Sequence, residues 1–353
     1  MKLSLEQCAA VDAFDTARRD RSRPQIVIAG HAGTGKTTII ESMVARASRD
    51  SDVVVCTPTG KAAHVLRSKG VEAITVHSLL YYPRPVGAKL AFVDNGSEMP
   101  DVVIVDEASM IDQRIYGDLR ARVPFVAYVG DHGQLEPINN DPGFMRSPDV
   151  CLEKIHRQAA GSAILKFAHR VRNGQAPITC GHEAQVVLKA PPGVENFDVI
   201  LCALNKTRVG LNAWVRRKRK FSGPLPSPGE QVICLRNSKE NRVWNGMTGV
   251  VRDITASSRA CRISVDTDDG PRLNIPFVPR QFGLSSTLDD KYLMRKGAPT
   301  LWDFGYCLTT HKAQGSEWDR VAVFDEVPSN WSVERWRYTA ATRAARKLLW
   351  ITK

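Results

Sequence analysis

The strongest indication of the fold of this chain is the segment Gly30-His31-Ala32-Gly33-Thr34-Gly35-Lys36-Thr37. It matches the pattern G-x-x-x-x-G-K-[ST], in which glycines let backbone N–H groups close around a chain of phosphates. The apolar run QIVIAG precedes it and the helix-like run TTIIESMVARA overlaps its end. A strand, a glycine-rich loop and a helix in this order predict a phosphate-binding loop on an α/β sheet, with Lys36 supplying positive charge and Thr37 offering a hydroxyl to Mg²⁺.

Other short apolar runs near this loop are typical of buried parallel strands: DVVVCTP, DVVIVDE and FVAYVGD. Asp106 and Glu107 end the second of them, so both carboxylates are expected at the sheet edge that carries the phosphate loop. There Asp106 is suited to hold Mg²⁺ and Glu107 to polarise an attacking water. The alternative is that the pair merely caps the segment EASMIDQ.

Charge and composition narrow the class of protein. Lys and Arg number 49 against 37 Asp and Glu, a net charge of +12, which favours a polyanionic partner such as nucleic acid, although charge does not exclude an anionic membrane surface. The eight cysteines lack the close spacing of a zinc site, which predicts free thiols and a cytoplasmic setting, that of a bacterium or a phage-infected host. No apolar run approaches the ~20 residues needed to span a bilayer, so no membrane association is expected.

The second half of the chain contains two kinds of strand pattern. Runs such as FDVILCAL and RVAVFDE predict a second α/β layer. Between Pro224 and Trp302, short strands alternate with turn signals, which predicts a small inserted β-barrel. The basic run at 216–220 is either a phosphate track or a solvated face.

A phosphate loop does not by itself identify the protein, because kinases, G proteins and motors share it. The string GDHGQL, residues 130–135, follows a third strand-like run and places Gln134 where an amide would sense a γ-phosphate. Taken alone this string is a weak, turn-like signal.

The full series of motifs resembles superfamily 1 helicases of the RecD and phage Dda type, the class that moves 5′ to 3′. The resemblance covers nearly the whole chain and rests on these segments: GHAGTGKTT, TPTGKAA (57–63), TVHSLL (75–80), VDEASM (105–110), GDHGQLEPI (130–138), IHRQ (155–158), LTTHKAQGSE (308–317) and YTAATRA (338–344). It implies an α/β fold with two RecA-like P-loop domains, residues 1–150 and 151–353. It also implies a short β-hairpin insertion at about 81–100 in the first domain and an SH3-like β-barrel insertion at about 224–302 in the second.

The resemblance assigns roles residue by residue. Gln134, Arg157 and Arg343 would act on the γ-phosphate, the two arginines from the second domain, so that hydrolysis follows domain closure. Gln7 resembles the glutamine that reads adenine, and Ser4-x-x-Gln7 is also a capping box. The implied catalytic residues are Lys36, Asp106, Glu107, Gln134, Arg157 and Arg343. The implied ATP-binding residues are Gln7, Gly30, Ala32, Gly33, Thr34, Gly35, Lys36, Thr37, Thr38, Gln314, Gly315 and Glu317, with Thr37 and Asp106 as Mg²⁺ ligands.

The nucleic-acid track is implied in the same way, since hydroxyls, backbone N–H groups and cations grip a strand. Its residues would be Thr57, Pro58, Thr59, Gly60, Lys61, Thr75, His77, Trp244, Asn245, Thr309, His311 and Lys312. Without the resemblance, ordinary turns and helix caps explain the first of these. Tyr81, Tyr82 and Phe92 are the aromatic candidates to separate strands at a fork, and Asn95-Gly96 signals a tight turn. The alternative is that these rings only pack the hairpin onto its own domain.

The implied function is that of an ATP-dependent DNA helicase or translocase, in replication, recombination or repair, acting as a monomer on single-stranded DNA and DNA forks. Replication or recombination proteins are the expected partners. One rival is an ATPase of another class, such as a packaging motor or a phosphotransferase, which the last three motifs disfavour. A second rival is a translocating subunit of a recombination assembly. Because the chain begins almost at the adenine motif, a compact phage or plasmid accessory helicase fits better.

Overall fold

The computed structural model describes residues 3–20, 22–86, 89–137, 140–155, 161–257, 261–288 and 297–352, and for residues 83–86 and 89–91 the backbone only. The chain divides into two compact units, Met1–Tyr82 with Phe92–Leu165, and Pro83–Ala91 with Lys166–Lys353. The sequence placed the boundary after residue 150. The strand Val150–Leu152 pairs with the strand that precedes the phosphate loop, so the first unit continues to Leu165.

The first unit is a parallel sheet with helices. Its strands are β1 (Gln25–Gly30), β2 (Val53–Thr57), β3 (Ala73–Thr75), β6 (Val102–Val105), β7 (Phe125–Gly130) and β8 (Val150–Leu152), in the order β3-β2-β6-β7-β1-β8. Its helices are α1 (Leu5–Arg19), α2 (Lys36–Ala47), α3 (Gly60–Ser68), α4 (Val76–Leu80) and α5 (Gln113–Arg122). Each apolar run quoted from the sequence in this region forms one of these strands, which confirms the α/β prediction.

The sheet of the first unit is buried on both faces. Ile28 packs with Phe14 of α1 and Ile40 of α2, whereas its neighbour Val27 packs on the opposite side with Leu119 of α5. Alternate residues of a strand point to opposite faces, so a continuous apolar run such as QIVIAG is what a doubly covered parallel strand requires. The polar segments that follow β1, β2, β3, β6 and β7 consequently meet at one edge, where the strands end.

A hairpin interrupts this unit. It pairs β4 (Tyr81–Val86) with β5 (Lys89–Asp94), and the connection at 87–88 lies outside the described residues. The strand predicted in KLAFVDNGS is therefore present. Asn95-Gly96 does not connect the two strands of the hairpin but follows the end of β5. The Asn95 side-chain N–H donates to the Leu79 carbonyl at 2.6 Å, and Arg122 donates to the side-chain oxygen of Asn95 at 2.9 Å. Asn95 thus fastens the end of the hairpin to the first unit.

The second unit contains another parallel sheet and an antiparallel sheet. The bounds of its strands are β9 (Ala184–Val187), β10 (Val199–Cys202), β11 (Gln231–Cys234), β12 (Thr248–Ala256), β13 (Cys261–Thr267), β14 (Gly270–Pro276), β15 (Trp302–Phe304), β16 (Cys307–Thr309), β17 (Trp318–Phe324) and β18 (Ala344–Ile351). The parallel sheet has the order β16-β10-β17-β18-β9, and the antiparallel sheet has the order β14-β13-β12-β11-β15. The helices are α6 (Ala163–Arg172), which crosses the unit boundary, α7 (Asn205–Lys218) and α8 (Val333–Ala341).

The antiparallel sheet shares one apolar core with the parallel sheet of its unit. Ile200 of β10, Val232 of β11 and Trp302 of β15 belong to the same buried cluster. The sequence region predicted as a small inserted barrel is therefore a sheet packed into the unit.

Helix α7 is fixed to the antiparallel sheet by buried ion pairs. Arg216 donates to both carboxylate oxygens of Glu230, at 2.8 and 3.0 Å, and Arg208 pairs with Asp303. A buried charge is tolerated when it is paired in this way. Arg216, the first residue of the basic run 216–220, is therefore a buried structural residue, and neither alternative for the run, a phosphate track or a solvated face, applies to this side chain.

Among the described residues the longest helix is α1, with 15 residues, and no helix combines the length and apolar content needed to cross a membrane.

Candidate active site

The phosphate loop connects β1 to α2 and is shaped by its glycines. Gly33 and Gly35 have φ values of 84° and 81°, in the left-handed region that side chains disfavour. A Cβ on Gly30 would lie 2.6 Å from the Thr34 hydroxyl, so a larger residue would force that neighbour to move. The Lys36 ammonium donates to the carbonyls of Gly30 (2.9 Å) and His31 (3.2 Å) and so spans the loop.

Gln7 holds the phosphate loop from α1. Its side-chain amide donates to the Thr34 carbonyl at 3.1 Å, and its oxygen accepts the Ser4 N–H at 3.0 Å. The Ser4 hydroxyl in turn accepts the Gln7 N–H, which completes the capping box that the sequence predicted. Gln7 therefore joins helix cap and phosphate loop, and its predicted contact with adenine stays a prediction.

Asp106 and Glu107 follow β6 at the same edge. Burial raises the pKa of Asp106 to about 7; the Glu107 carboxylate adds to the rise, whereas Lys36 opposes it. Asp106 accepts the Glu107 N–H at 2.9 Å. A buried carboxylate destabilised in this way is stabilised by a cation.

Glu107 has an unusual backbone. Its φ of 54° and ψ of 37° lie in the left-handed region, which costs a residue other than glycine about 1–3 kcal/mol. Within the described part of the chain, its buried Oε2 has no hydrogen-bond partner. Glu107 therefore offers a buried carboxylate oxygen that is able to accept a hydrogen bond from a water molecule.

Gln134 is held by Asp131, which directly follows β7. The Gln134 amide lies 3.4 Å from Asp131 Oδ2, and the Gly133 N–H donates to Oδ1 at 2.9 Å. His31 of the phosphate loop reaches the same carboxylate, Nδ1 to Oδ1, at 3.4 Å. Sequence reasoning missed Asp131 as a site residue; its signal was an acidic residue directly after a buried strand.

The structure brings Lys36, Asp106, Glu107 and Gln134 together at one edge of one sheet. Ala32, Thr37 and Thr38 lie in the loop and first turn of α2 as predicted. Arg157 lies outside the described residues. Arg343 is in the second unit, 5% exposed, and donates to the carbonyls of Thr339 and Ser316.

The segment that follows β16 was expected to bridge nucleotide and nucleic acid. Thr309 ends that strand, and its hydroxyl accepts the Lys312 N–H at 3.4 Å. Burial lowers the pKa of Lys312 to about 8 and also lowers that of His311, whose ring packs edge-on against Trp331 at 4.7 Å. The segment also places Gln314 (buried), Gly315 (φ 71°) and Glu317 (exposed).

The loops predicted to grip nucleic acid begin α3 and α4. Thr59 accepts the Ala62 N–H at 3.2 Å, and Thr75 accepts the Ser78 N–H at 3.1 Å, so both are helix caps. The fully buried Thr57 donates to the Thr59 carbonyl at 2.8 Å. Pro58, Gly60 and Lys61 complete this edge segment. Thr59 and Thr75 therefore act as helix caps, as the alternative of ordinary turns and caps predicted. Contact of these residues with a nucleic-acid strand stays a prediction.

Trp244 and Asn245 form a turn in the second unit. Met247 N–H donates to the Trp244 carbonyl at 3.1 Å, and Arg272 lies over the Trp244 ring at 5.9 Å. Trp244 is half-buried against the core, whereas Asn245 is exposed.

The aromatic candidates of the hairpin are not equivalent. Tyr81 is only 7% exposed and its hydroxyl bonds Asp118, so it is unable to stack on a base; this prediction is wrong. Tyr82 and Phe92 are 44% and 42% exposed. His77 packs near Tyr81 and Phe92, with ring centroids 5.7 and 5.5 Å away, and burial lowers its pKa. His77 therefore supports the base of the hairpin.

Comparison with protein families gives two matches. The AAA domain family matches residues 2–189, and the UvrD-like helicase C-terminal domain matches residues 304–351.

Similar sequences include the ATP-dependent RecD2 DNA helicase of Deinococcus radiodurans, 30% identical over 97% of this chain and 48% of that protein. The RecBCD enzyme subunit RecD of Mycolicibacterium smegmatis is 25% identical over 91% of this chain and 67% of that protein. The chain thus spans about half the length of the RecD2 relative.

Similar solved structures share the fold. Bacteroides Pif1 bound to single-stranded DNA superposes with a TM-score of 0.64 at 18% identity, covering 99% of this chain and 92% of that one. The Pif1 helicase of Candida albicans gives a TM-score of 0.61 at 19% identity, covering 99% and 94%.

Proposed function

The chain belongs to the AAA domain family, and we propose that it is a superfamily 1 helicase of the RecD type, an ATP-dependent DNA helicase that moves 5′ to 3′ on single-stranded DNA. The observation that carries the proposal is the meeting of Lys36, Glu107 and Gln134 at one sheet edge. The UvrD-like helicase domain at residues 304–351 favours a motor over a phosphotransferase.

ATP hydrolysis at this sheet edge needs positive charge next to the phosphates, a general base for the attacking water and a group that contacts the γ-phosphate. Lys36 would leave its loop carbonyls for the phosphates, and Glu107 would accept a proton from the attacking water. Mg²⁺, when bound, would neutralise phosphate charge; Asp106 and Thr37 are the residues to hold it, since a buried carboxylate whose pKa is raised favours a nearby cation. Gln134, fixed by Asp131, would report on the γ-phosphate.

The strand would follow the starts of α3 and α4. Each helix is capped by a threonine, Thr59 or Thr75, and presents N–H groups that suit phosphates. We assign the two units to RecA-like domains and the antiparallel sheet to an SH3-like element whose exposed Asn245 turn also meets DNA. Replication or recombination proteins are proposed partners, and action as a monomer in a bacterial or phage-infected cytoplasm belongs to the same proposal.

Unwinding of tailed duplexes tests the proposal. The wild-type chain is expected to separate a duplex with a 5′ single-stranded tail, and to leave a matched 3′-tailed duplex intact, because a motor that moves 5′ to 3′ meets the fork only on the first. Hydrolysis of ATP should rise when single-stranded DNA is added. Strand separation by fluorescence, with phosphate release in parallel, measures both.

Lys36→Ala is the matched control, since it removes the charge that binds phosphates and should abolish both activities. Unwinding of the 3′-tailed duplex would reverse the proposed direction. If single-stranded DNA did not change the rate of ATP hydrolysis, the result would favour an ATPase of another class. If single-stranded DNA stimulated hydrolysis but no duplex was unwound, the result would favour a translocating subunit.

The hairpin is the proposed wedge. Phe92→Ala and Tyr82→Ala should each slow unwinding of the 5′-tailed duplex at least about fivefold, because loss of one stacking contact costs roughly 1–3 kcal/mol. DNA-stimulated ATP hydrolysis and displacement of streptavidin from single strands should stay within about twofold of the wild type.

Tyr81→Phe provides the control, because it keeps the buried ring and removes only the hydroxyl bonded to Asp118. Equal losses of all three activities in the alanine variants would point to a folding defect. Normal unwinding by both alanine variants would move the wedge elsewhere.

A further inference from the structure

The phosphate loop and the segment after β7 bring together two imidazoles and a carboxylate. His31, Asp131 and His132 each offer a ligand atom, and these atoms lie within 4.8 Å of one another. The two imidazole rings are tilted by 38° to each other, with centroids 4.6 Å apart. We propose that this group, the loop triad, binds one divalent metal ion such as Zn²⁺, Co²⁺ or Cu²⁺.

The Asp131 carboxylate is built to be a ligand. Its side chain is fully buried, and the Gly133 N–H donates to Oδ1 at 2.9 Å, which fixes its orientation as supporting groups around metal ligands do. The contact from His31 Nδ1, at 3.4 Å, is longer than the usual 2.9–3.0 Å of an N–H···O bond. A bound metal ion would compensate the negative charge of this buried carboxylate and draw the three ligand atoms closer together.

The ligand chemistry selects the metal. Two nitrogens and one oxygen suit Zn²⁺, Co²⁺ or Cu²⁺, whereas Mg²⁺ prefers oxygen ligands only. Three protein ligands also leave a fourth tetrahedral position open to water. The loop triad is thus separate in chemistry from the Mg²⁺ position assigned to Asp106, and it does not depend on the proposed function.

An ion in the loop triad would join two loops. His31 stands in the phosphate loop after β1, and Asp131 and His132 follow β7, about 100 positions later in the chain. Metal that binds only the folded chain raises its stability according to its concentration. Binding should therefore raise the unfolding temperature.

Titration of the chelator-treated full chain with Co²⁺, in the absence of nucleotide, tests the site. One Co²⁺ per chain is expected, with visible absorption of a nitrogen- and oxygen-ligated ion, displaced by Zn²⁺ but not by excess Mg²⁺. His31→Asn and His132→Asn should each weaken Co²⁺ binding by about 100-fold or more, since loss of even a supporting group costs 10- to 100-fold. His182→Asn, at an exposed histidine, should bind as the wild type does.

Unfolding temperatures measured in chelator separate binding from folding, because a variant that unfolds normally there but fails to be stabilised by Zn²⁺ has lost only the site. Absence of stoichiometric Co²⁺ binding by the wild type would overturn the proposal. So would unchanged affinity in both histidine variants, or a thiolate-to-cobalt absorption band, which would place the ion on cysteines.

Discussion

Replacing Glu107 with glutamine is expected to lower the rate of ATP hydrolysis by about 10²- to 10⁴-fold, the usual contribution of a positioned general base. Glutamine keeps the size of the side chain but is unable to accept the proton of the attacking water. ATP binding should persist, because Lys36 and Asp106 are untouched. Single-turnover hydrolysis, together with binding of a fluorescent ATP analogue, measures the two effects separately.

The left-handed backbone of Glu107 sharpens this test. Both residue types have the same backbone strain at a φ of 54°, and glutamine removes the repulsion with Asp106, so Glu107→Gln should not lower the unfolding temperature. Glu98→Gln makes the same change of charge at an exposed position and should hydrolyse ATP normally. Turnover within about threefold of the wild type in Glu107→Gln would assign the base to another residue.

Replacing Arg343 is expected to have an effect of similar size. Arg343→Ala should lower ATP hydrolysis by roughly 10³-fold or more, the loss that follows removal of an arginine that stabilises transferring phosphate. The guanidinium is buried and donates to neutral oxygens: the carbonyls of Thr339 and Ser316 and the Thr342 hydroxyl. Among the described residues these acceptors are all neutral, and an anion would form stronger, charge-assisted hydrogen bonds with the guanidinium.

A structural role for Arg343 gives a different result. Arg343→Gln keeps a hydrogen-bond donor for these carbonyls but has no charge, so it should fold as the wild type does and still fail to hydrolyse ATP. Arg346→Ala, nearby on β18 and exposed, is the matched control. If Arg343→Gln hydrolysed ATP normally while Arg343→Ala unfolded at a much lower temperature, the arginine would serve folding and the catalytic role would be excluded.

The arrangement of residues around the phosphate loop was predictable from the sequence. The glycines and Lys36 act through the backbone of one loop, and Asp106 and Glu107 take their position from the buried run before them. Such local patterns specify a strand, a loop and a helix wherever the segment lies, because backbone conformation and side-chain periodicity depend on neighbours in sequence. For the same reason the parallel strands of the first unit were predictable from their continuous apolar runs.

Which side chains are buried and which are exposed depends on contacts between distant segments, and these were not predictable from the sequence. Tyr81 and Tyr82 are adjacent in the sequence, yet the first is buried on Asp118 and the second is exposed. Arg216 belongs to a basic run but is paired with the buried Glu230, and His31 meets Asp131 across about 100 positions. Periodicity indicates that a face is buried but not which residue of a distant segment packs against it, and pairing over such separations is set by the packing of the whole sheet.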